Sequence, residues 1–232
     1  MGAYLIDNRP KTQQYRTRTE KPSGVVVVHT AESTPDWVDH DSGAENVTNF
    51  IVNRSDYGAY HALVDSDSAL QLVPWHLCTY HDGTGSNDHS VGISAATQAA
   101  KWLRAPEGWR NATVKNMARK AAEYSKWLVA QGRARERIPA RRITKAESDK
   151  RIPGFISHAE RDPGRRTDPG EDFPWELFFM YYRRFTRPKR TPAWDAIWEQ
   201  ANGIASNTKQ PAAVRDAARR VRAIAERRSV KY

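Results

Sequence analysis

Three residues of the sequence, His29, His158 and Asp168, are candidates for binding one metal ion. His158 and Asp168 lie ten residues apart in the segment HAERDPGRRTDPG, whose prolines and glycines favour turns that can bring the two together. His29 follows a run of four valines, and open α/β sheets place functional side chains at such strand ends. Two imidazoles and one carboxylate, with a fourth position left for water, form the ligand pattern of a catalytic zinc. Taken singly, each residue is more often a solvated, structural or turn residue, so residue type alone leaves the site open.

Other kinds of catalytic centre find no support in the sequence. Cys78 is the only cysteine, so neither an intrachain disulfide nor a thiolate cluster can form. We expect Cys78 to be a small buried hydrophobic residue and not a nucleophile. No Ser/His/Asp triad, phosphate-binding glycine loop or His-Glu-x-x-His helix motif is recognisable. Any metal site must therefore be built from histidines and carboxylates.

The elements that would position these side chains follow from hydrophobic periodicity. Val25 to Val28 form a continuous β-branched block, which predicts a strand buried on both faces that runs into His29. Ser42 and Glu45 match a capping box and predict a helix over about 43–54. The further predicted elements are a hairpin over 59–73, a strand over 90–95, a helix over about 113–131, a short strand over 154–157 and a helix from near Pro174. This order predicts an α/β fold with a mixed central β-sheet flanked by helices and a small C-terminal helical extension.

The remaining stretches of the first 186 residues show no clear pattern. Residues 1–23 are polar and without periodicity, and we expect them to wrap the surface. Residues 104–111 are predicted to form a loop, and residues 133–153 are basic and irregular.

The positive charge is concentrated at the C-terminal end of the chain. The formal net charge is +10, and residues 187–232 hold 11 Lys/Arg against four Asp/Glu. A charge of that size indicates attraction to a polyanion, but the nearly neutral remainder argues against a nucleic-acid-binding domain across it. We therefore predict a domain over 1–186 and a basic helical region over 187–232, in which Trp194 and Trp198 share a helical face. This region either binds an anionic cell-wall polymer or membrane surface, or is a helical extension whose charge is solvated.

The sequence shows neither a membrane-spanning segment nor a secretory signal. No apolar run approaches the roughly 20 residues that span a bilayer. The N-terminal residues MGAYLIDNRPKTQQYR lack the basic-then-apolar layout of a secretory signal. We therefore expect synthesis in the cytoplasm without a signal peptide.

Several motifs together resemble one known family. The segment HAERDPGRRTDPGEDFPW is similar to the closing motif of the type 2 N-acetylmuramoyl-L-alanine amidases, which include many phage endolysins and are related to the animal peptidoglycan recognition proteins. VVVVHTAE resembles the first strand of that family, and GAYHALVDSDSALQLVP resembles its Tyr-His strand and hairpin. The stretch from His81 through Asn87 to Ile93 resembles its His-containing loop and the strand that follows. The resemblance covers roughly residues 22–180.

This resemblance implies roles for five residues. His29, His158 and Asp168 match the three zinc ligands of the family. Tyr60 matches a tyrosine that lies beside the zinc-bound water in phage members, although a tyrosine in an alternating strand is as often a core residue. Arg166 lies where the family usually has Lys or Arg, and the resemblance implies that it stabilises the oxyanion.

Two positions depart from the family pattern. Some members carry a glutamate as general base in the strand after Gly-Ile, and Ser94 occupies that place here. The enzyme would therefore rely on Tyr60 or on another base. Arg166 in place of lysine keeps the charge and gains a fork of donors, but it cannot give up a proton.

The implied activity is zinc-dependent hydrolysis of the amide bond between N-acetylmuramic acid and L-alanine, with bacterial peptidoglycan as the partner. His81, Trp75 and Asn87 are the expected substrate-binding residues, with a structural or core role open for each. A phage endolysin, made in the host cytoplasm and acting on the wall after release, is the preferred interpretation. A cytoplasmic muropeptide-recycling amidase and a non-catalytic peptidoglycan-binding protein are the alternatives.

Overall fold

The computed structural model describes residues 5–7, 12–34, 37, 41–187, 197, 200, 201, 204 and 211–228. The chain divides into two compact units, Met1–Thr186 and Arg187–Tyr232. The first unit contains the central sheet and the three metal-ligand candidates.

The centre of the first unit is a six-stranded mixed β-sheet. The strands among the described residues of the unit are β1 (Leu5–Asp7), β2 (Tyr15–Thr17), β3 (Val25–Thr30), β4 (Ala62–Val64), β5 (Ser68–Gln71), β6 (Leu77–Thr79), β7 (Val91–Ala95) and β8 (Gly154–Ser157). The main sheet has the order β1-β5-β4-β7-β3-β8, and β2 pairs with β6 in a separate two-stranded sheet. Strand β3 runs parallel to both of its neighbours, β7 and β8, whereas β4 and β5 form an antiparallel hairpin.

Helices cover the faces of this sheet. The helices of the first unit are α1 (Gly43–Asn53), α2 (Glu107–Ala130), α3 (Lys145–Asp149), α4 (His158–Arg161) and α5 (Trp175–Thr186). Helices α2 and α5 pack against each other and share one apolar core with the sheet. A second core lies between α1 and the β4–β5 hairpin. The predicted mixed sheet flanked by helices is therefore confirmed.

Strand β3 is buried along its whole length, as its valine run predicts. Val26 and Val28 belong to the core shared with α2 and α5, whereas Val25 and Val27 pack with Ile143 and Ile156 on the other face. Because side chains alternate along a strand, the next residue, His29, continues the face of Val25 and Val27. The imidazole of His29 therefore lies near the carboxyl end of β3, on the same face as Val25 and Val27.

The structure differs from the sequence predictions at several elements. Ser42 precedes α1 but makes no side-chain capping hydrogen bond to it, and the hydroxyl of Ser68 donates to Glu45 instead. Helix α2 begins at Glu107, directly after Pro106 and inside the segment predicted to be a loop. Short elements that were not predicted from the sequence are the strands β1, β2 and β6 and the helices α3 and α4. Each of the three strands is stabilised by pairing with a segment distant in sequence, which local patterns do not reveal.

The second unit is described mainly through helix α6 (Ala212–Arg228). Val214, Val221 and Ile224 are exposed on it, whereas Ala218 is buried. The two tryptophans of this unit, Trp194 and Trp198, lie outside the described residues. Among the described helices, none combines the length and the apolar composition that crossing a membrane requires.

Candidate metal centre and active site

The three predicted metal ligands converge at the carboxyl ends of two adjacent strands. His29 lies near the end of β3, and His158 directly follows β8, its parallel neighbour. Asp168 lies on the loop after α4, and one ligand atom from each residue falls within 4.8 Å of the other two. All three side chains are buried. The sequence therefore brings together, from distant positions, the donor set of a catalytic zinc.

Local hydrogen bonds fix the position of the second histidine and of the aspartate. Ser157 and Glu160 form a reciprocal capping box at the start of α4, so His158 is held as the first residue of the helix. The amide of Ala159 donates to the Asp168 carbonyl oxygen at 2.8 Å, which closes the loop back onto α4. Gly170, with φ of 97°, lies so close to Ala99 that an added Cβ would be 2.3 Å from its carbonyl oxygen.

Hydrogen bonds on the far side of each imidazole determine which nitrogen faces the centre. His158 Nε2 lies 3.2 Å from the Asp82 carbonyl oxygen, to which it must donate. His29 Nε2 lies 3.3 Å from His81 Nδ1, and His81 Nε2 lies 3.1 Å from Ser90 Oγ. With each Nε2 acting as a donor, the Nδ1 atoms of His29 and His158 carry lone pairs directed at the centre.

Both lone pairs face the carboxylate of Asp168. Hydrogen-bond acceptors therefore face one another across the centre. His158 Nδ1 lies 3.0 Å from Asp168 Oδ1, and His29 Nδ1 lies 3.3 Å from Asp168 Oδ2. His29 Nδ1 is buried and makes no aligned hydrogen bond within the described residues. Zinc bonds of about 2.0–2.1 Å in a tetrahedron place ligand atoms about 3.3 Å apart, close to the spacing observed. The donor set fits a divalent cation.

The protonation state of His29 also favours metal binding. Burial, with the neighbouring His158, lowers the pKa of His29 to about 4, so this imidazole is neutral at neutral pH. A neutral imidazole and an ionised carboxylate are the forms that bind metal.

Tyr60 stands beside the metal centre. It precedes β4, and its ring centroid lies 5.2 Å from that of His29. Burial, and then the charge of Asp168, raises the pKa of Tyr60 to about 12, and Glu32 adds to the rise. The phenol is therefore protonated at neutral pH and acts as a hydrogen-bond donor.

Arg166 lines the same cavity from the loop before Asp168. Its side chain is exposed, and its amide donates to the Asp162 carbonyl oxygen at 3.2 Å. The adjacent Arg165 is tied down, since it donates to the Asp82 carbonyl oxygen at 3.1 Å. The two arginines therefore differ, because Arg165 supports the loop and Arg166 remains available to a ligand.

The structure separates the three predicted substrate-binding residues. His81 and Asn87 line the cavity; Asn87 Oδ1 also accepts from the amides of His81 and Asp82, both at 3.1 Å. Trp75 is not among the described residues that line it. Its ring stacks on His61 with centroids 6.0 Å apart and lies 5.4 Å from Tyr124. Trp75 thus has the contacts of a packing residue.

The cavity around the metal centre has a volume of about 480 Å³. One wall is aromatic: Tyr57 and Tyr80 have ring centroids 4.7 Å apart, and the guanidinium of Arg54 lies 5.2 Å from the Phe50 ring centroid. Phe50 and Tyr57 are 63% and 75% exposed, which is unusual for large rings in a closed core. Neither this wall nor Glu32 was predicted from the sequence, although Glu32 lies only three residues after His29 in the segment VVVVHTAE.

Comparison with known proteins places this site within one family model. A model described as N-acetylmuramoyl-L-alanine amidase matches residues 18–171, well over half of the chain. The chain is also similar to the N-acetylmuramoyl-L-alanine amidase CwlA from Bacillus sp., with 34% identity over 58 residues. That match spans 23% of this chain and 23% of CwlA.

Solved structures of similar proteins were also found. A point mutant of PlyL matches with a TM-score of 0.45 and 18% identity, covering 75% of this chain and 92% of PlyL. The Staphylococcus aureus hydrolase AmiA in complex with its ligand matches with a TM-score of 0.48 and 17% identity, covering 79% of this chain and 85% of AmiA.

Proposed function

The chain belongs to the N-acetylmuramoyl-L-alanine amidase family, and we propose that it hydrolyses the amide bond between N-acetylmuramic acid and L-alanine in bacterial peptidoglycan. The observation that carries this proposal is the buried triad of His29, His158 and Asp168. All three residues lie within the matched segment 18–171. A protein that only bound peptidoglycan would have no need for a complete catalytic ligand set.

The metal of the proposed enzyme is zinc. His29 and His158, through their Nδ1 atoms, and Asp168, through a carboxylate oxygen, are the ligands that would hold it. Zinc at a site of three protein ligands supplies Lewis acidity and makes water more acidic at neutral pH. The imidazole of His81 supports the site by accepting from His29, as outer-shell partners commonly do.

Two side chains act on the reacting amide. The guanidinium of Arg166 stabilises the negative charge that develops on the carbonyl oxygen, a contribution worth about 3 kcal/mol per donor in other enzymes. The protonated phenol of Tyr60 donates a hydrogen bond that orients the attacking water or the carbonyl oxygen. Both residues line the cavity that contains Asp168, which supports their assignment.

The aromatic wall binds the rest of the substrate. Tyr57 and Phe50 present exposed ring surface in the cavity that contains the metal centre, and the half-buried Tyr80 packs against Tyr57. Sugar rings and peptide groups pack on such surfaces, because apolar faces are removed from water while the polar edges remain accessible. His81 and Asn87 also line the cavity, and the hydrogen bonds they make hold their loop in place.

In biological terms, the proposed role is that of a phage endolysin that lyses the host cell. The net charge of +10 supports action on an anionic wall. The basic helix α6, with Arg215, Arg219 and Arg220, supports attachment of residues 187–232 to an anionic wall polymer or membrane surface. A muropeptide-recycling amidase would act instead on soluble fragments.

Digestion of purified peptidoglycan tests the proposed activity. Wild-type protein is incubated with and without a zinc chelator, and the products are scored for new N-terminal alanine and for new reducing sugar ends. The proposal predicts alanine termini that the chelator suppresses, without reducing ends. Reducing ends would identify a glycosidase, and firm binding without cleavage would identify a peptidoglycan-binding protein.

A further inference from the structure

Two carboxylate side chains line the cavity in the part of the chain that the structure describes, Glu32 and Asp168. Asp168 is engaged by both imidazoles. Ser94, which lies opposite His29 in the pairing of β7 with β3, offers only a hydroxyl. We propose that Glu32 is the general base of the proposed hydrolysis, the group that takes a proton from the attacking water.

The structure holds the Glu32 carboxylate in one place. Its Oε1 accepts from the Thr30 hydroxyl at 2.6 Å and from the Ala99 amide at 3.0 Å. No described residue donates a hydrogen bond to Oε2, so this oxygen keeps its lone pairs for a ligand. A carboxylate fixed by one oxygen and free at the other has the arrangement that a positioned base requires.

The backbone at Glu32 adopts an uncommon conformation. Its φ is 52°, in the left-handed region that residues other than glycine rarely occupy. Such residues collect at active sites and ligand clamps, where the surrounding structure enforces them. The turn after β3 thus directs the side chain of Glu32 into the cavity wall.

Glu32 is tied to the metal centre through Thr30. The amide of Thr30 donates to Asp168 Oδ2 at 3.4 Å, while its hydroxyl donates to Glu32. One residue therefore orients both carboxylates of the cavity. The charge of Glu32 also reaches the phenol of Tyr60, whose pKa is raised first by burial and Asp168 and additionally by Glu32.

The proposed step balances in atoms and charge. One O–H bond of water breaks, its proton passes to Glu32 Oε2, and the water oxygen forms a bond to the lactyl carbonyl carbon. When the C–N bond breaks, the proton returns from Glu32 to the alanine nitrogen. The products are the carboxylic acid of the muramyl lactyl group and the free amine of the peptide.

The variants Glu32→Gln and Glu32→Ala test this inference, which rests on the proposed amidase activity. Glu136→Gln, on an exposed side chain of the loop after α2, removes the same charge away from the cavity and serves as the control. Four quantities are measured for each protein: the kcat and KM for N-acetylmuramoyl-L-alanyl-D-isoglutamine, its Kd by calorimetry, and the zinc content. A further measurement adds formate to Glu32→Ala, with chloride at equal ionic strength as the reference.

A general base predicts a particular combination of results. Glu32→Gln should lower kcat by about 10²- to 10⁴-fold, with KM, Kd and zinc content close to those of wild type and of Glu136→Gln. Formate should restore part of the activity of Glu32→Ala, whereas chloride at equal ionic strength should not.

Other results separate the possible failures. Wild-type kcat in Glu32→Gln would overturn the role of Glu32 and leave the amidase activity standing. Loss of zinc or of binding together with activity, without rescue by formate, would make Glu32 a structural residue. Absence of cleavage by wild-type protein would overturn the amidase proposal and this inference together.

Discussion

The metal centre and the aromatic wall lie in one cavity but are built in different ways. The residues His29, His158 and Asp168 are almost fully buried, at 0%, 3% and 6% exposure, and hydrogen bonds support each of them. Phe50 and Tyr57 on the wall are mostly exposed. The difference indicates that strand ends fix the ligands rigidly, whereas the wall is assembled from side chains that can adjust to a substrate.

Burial of the metal centre and exposure of the aromatic wall have different consequences. At the metal centre it keeps His29 neutral, and a neutral imidazole is what a metal needs. On the wall, exposure leaves apolar ring surface in water, which a bound substrate would cover. Changes at the centre should therefore affect metal and chemistry, and changes on the wall should affect substrate binding.

The largest effect is expected from removal of a metal ligand. Asp168→Ala leaves two imidazoles without the carboxylate that completes the set, so zinc binding and activity should both fall to background. Metal analysis and peptidoglycan digestion check this, with Asp172→Ala on the adjacent exposed loop as the control. Full activity in Asp168→Ala would mean that the site has been assigned wrongly.

A smaller effect is expected from Tyr60→Phe, which removes a donor beside the centre but no ligand. We expect kcat to fall by about 10²-fold, while the zinc content stays at the wild-type level. Tyr57→Phe removes an exposed phenol from the wall and should leave kcat unchanged. Equal effects in both variants would remove the distinction between centre and wall.

A still smaller effect, seen first in metal affinity, is expected from His81→Phe. The variant removes the acceptor of the His29 Nε2 proton, and loss of such outer-shell partners typically lowers metal affinity by about 10–100-fold. Competition with a zinc-binding dye measures the change, and His76→Phe at an exposed histidine is the control. Unchanged affinity would show that His81 does not orient His29.

The smallest change, Gly92→Ala, affects packing behind the centre. An added Cβ would lie 2.6 Å from Cγ of the His81 ring, and such overpacking typically costs about 1–3 kcal/mol. Urea unfolding should show this loss, whereas Gly85→Ala, where nothing lies within 4 Å, should stay within about 0.5 kcal/mol of wild type. Equal stabilities of the two variants would contradict the tight packing of His81.

The sequence predicted the elements that carry strong local patterns. The valine run of β3 and the segment around His158 carry composition and spacing that depend little on the rest of the chain, and the structure brings their histidines together with Asp168. The capping box at Ser42 was wrong because Glu45 is taken by Ser68, a partner from another element. A capping box is present instead at Ser157. The sequence of that segment was interpreted only through His158, so the capping box was not predicted.

The remainder depends on contacts between distant segments. Strand β1 exists through its parallel pairing with β5, and the aromatic wall exists because Tyr57 meets Tyr80 across a loop. Glu32 lies within the segment that resembles the first strand of the family, yet its place in the cavity depends on Ala99, 67 residues away. Neither hydrophobic periodicity nor motif spacing encodes contacts between such distant segments. The proposed base, Glu32, and the aromatic wall therefore could not be predicted from the sequence.

The most direct test of the metal centre is anomalous diffraction at the zinc absorption edge from crystals of the zinc-loaded protein. We predict one peak per chain, bonded to Nδ1 of His29, Nδ1 of His158 and a carboxylate oxygen of Asp168. A peak elsewhere, or coordination through either Nε2 atom, would contradict the hydrogen-bond pattern from which the centre is derived.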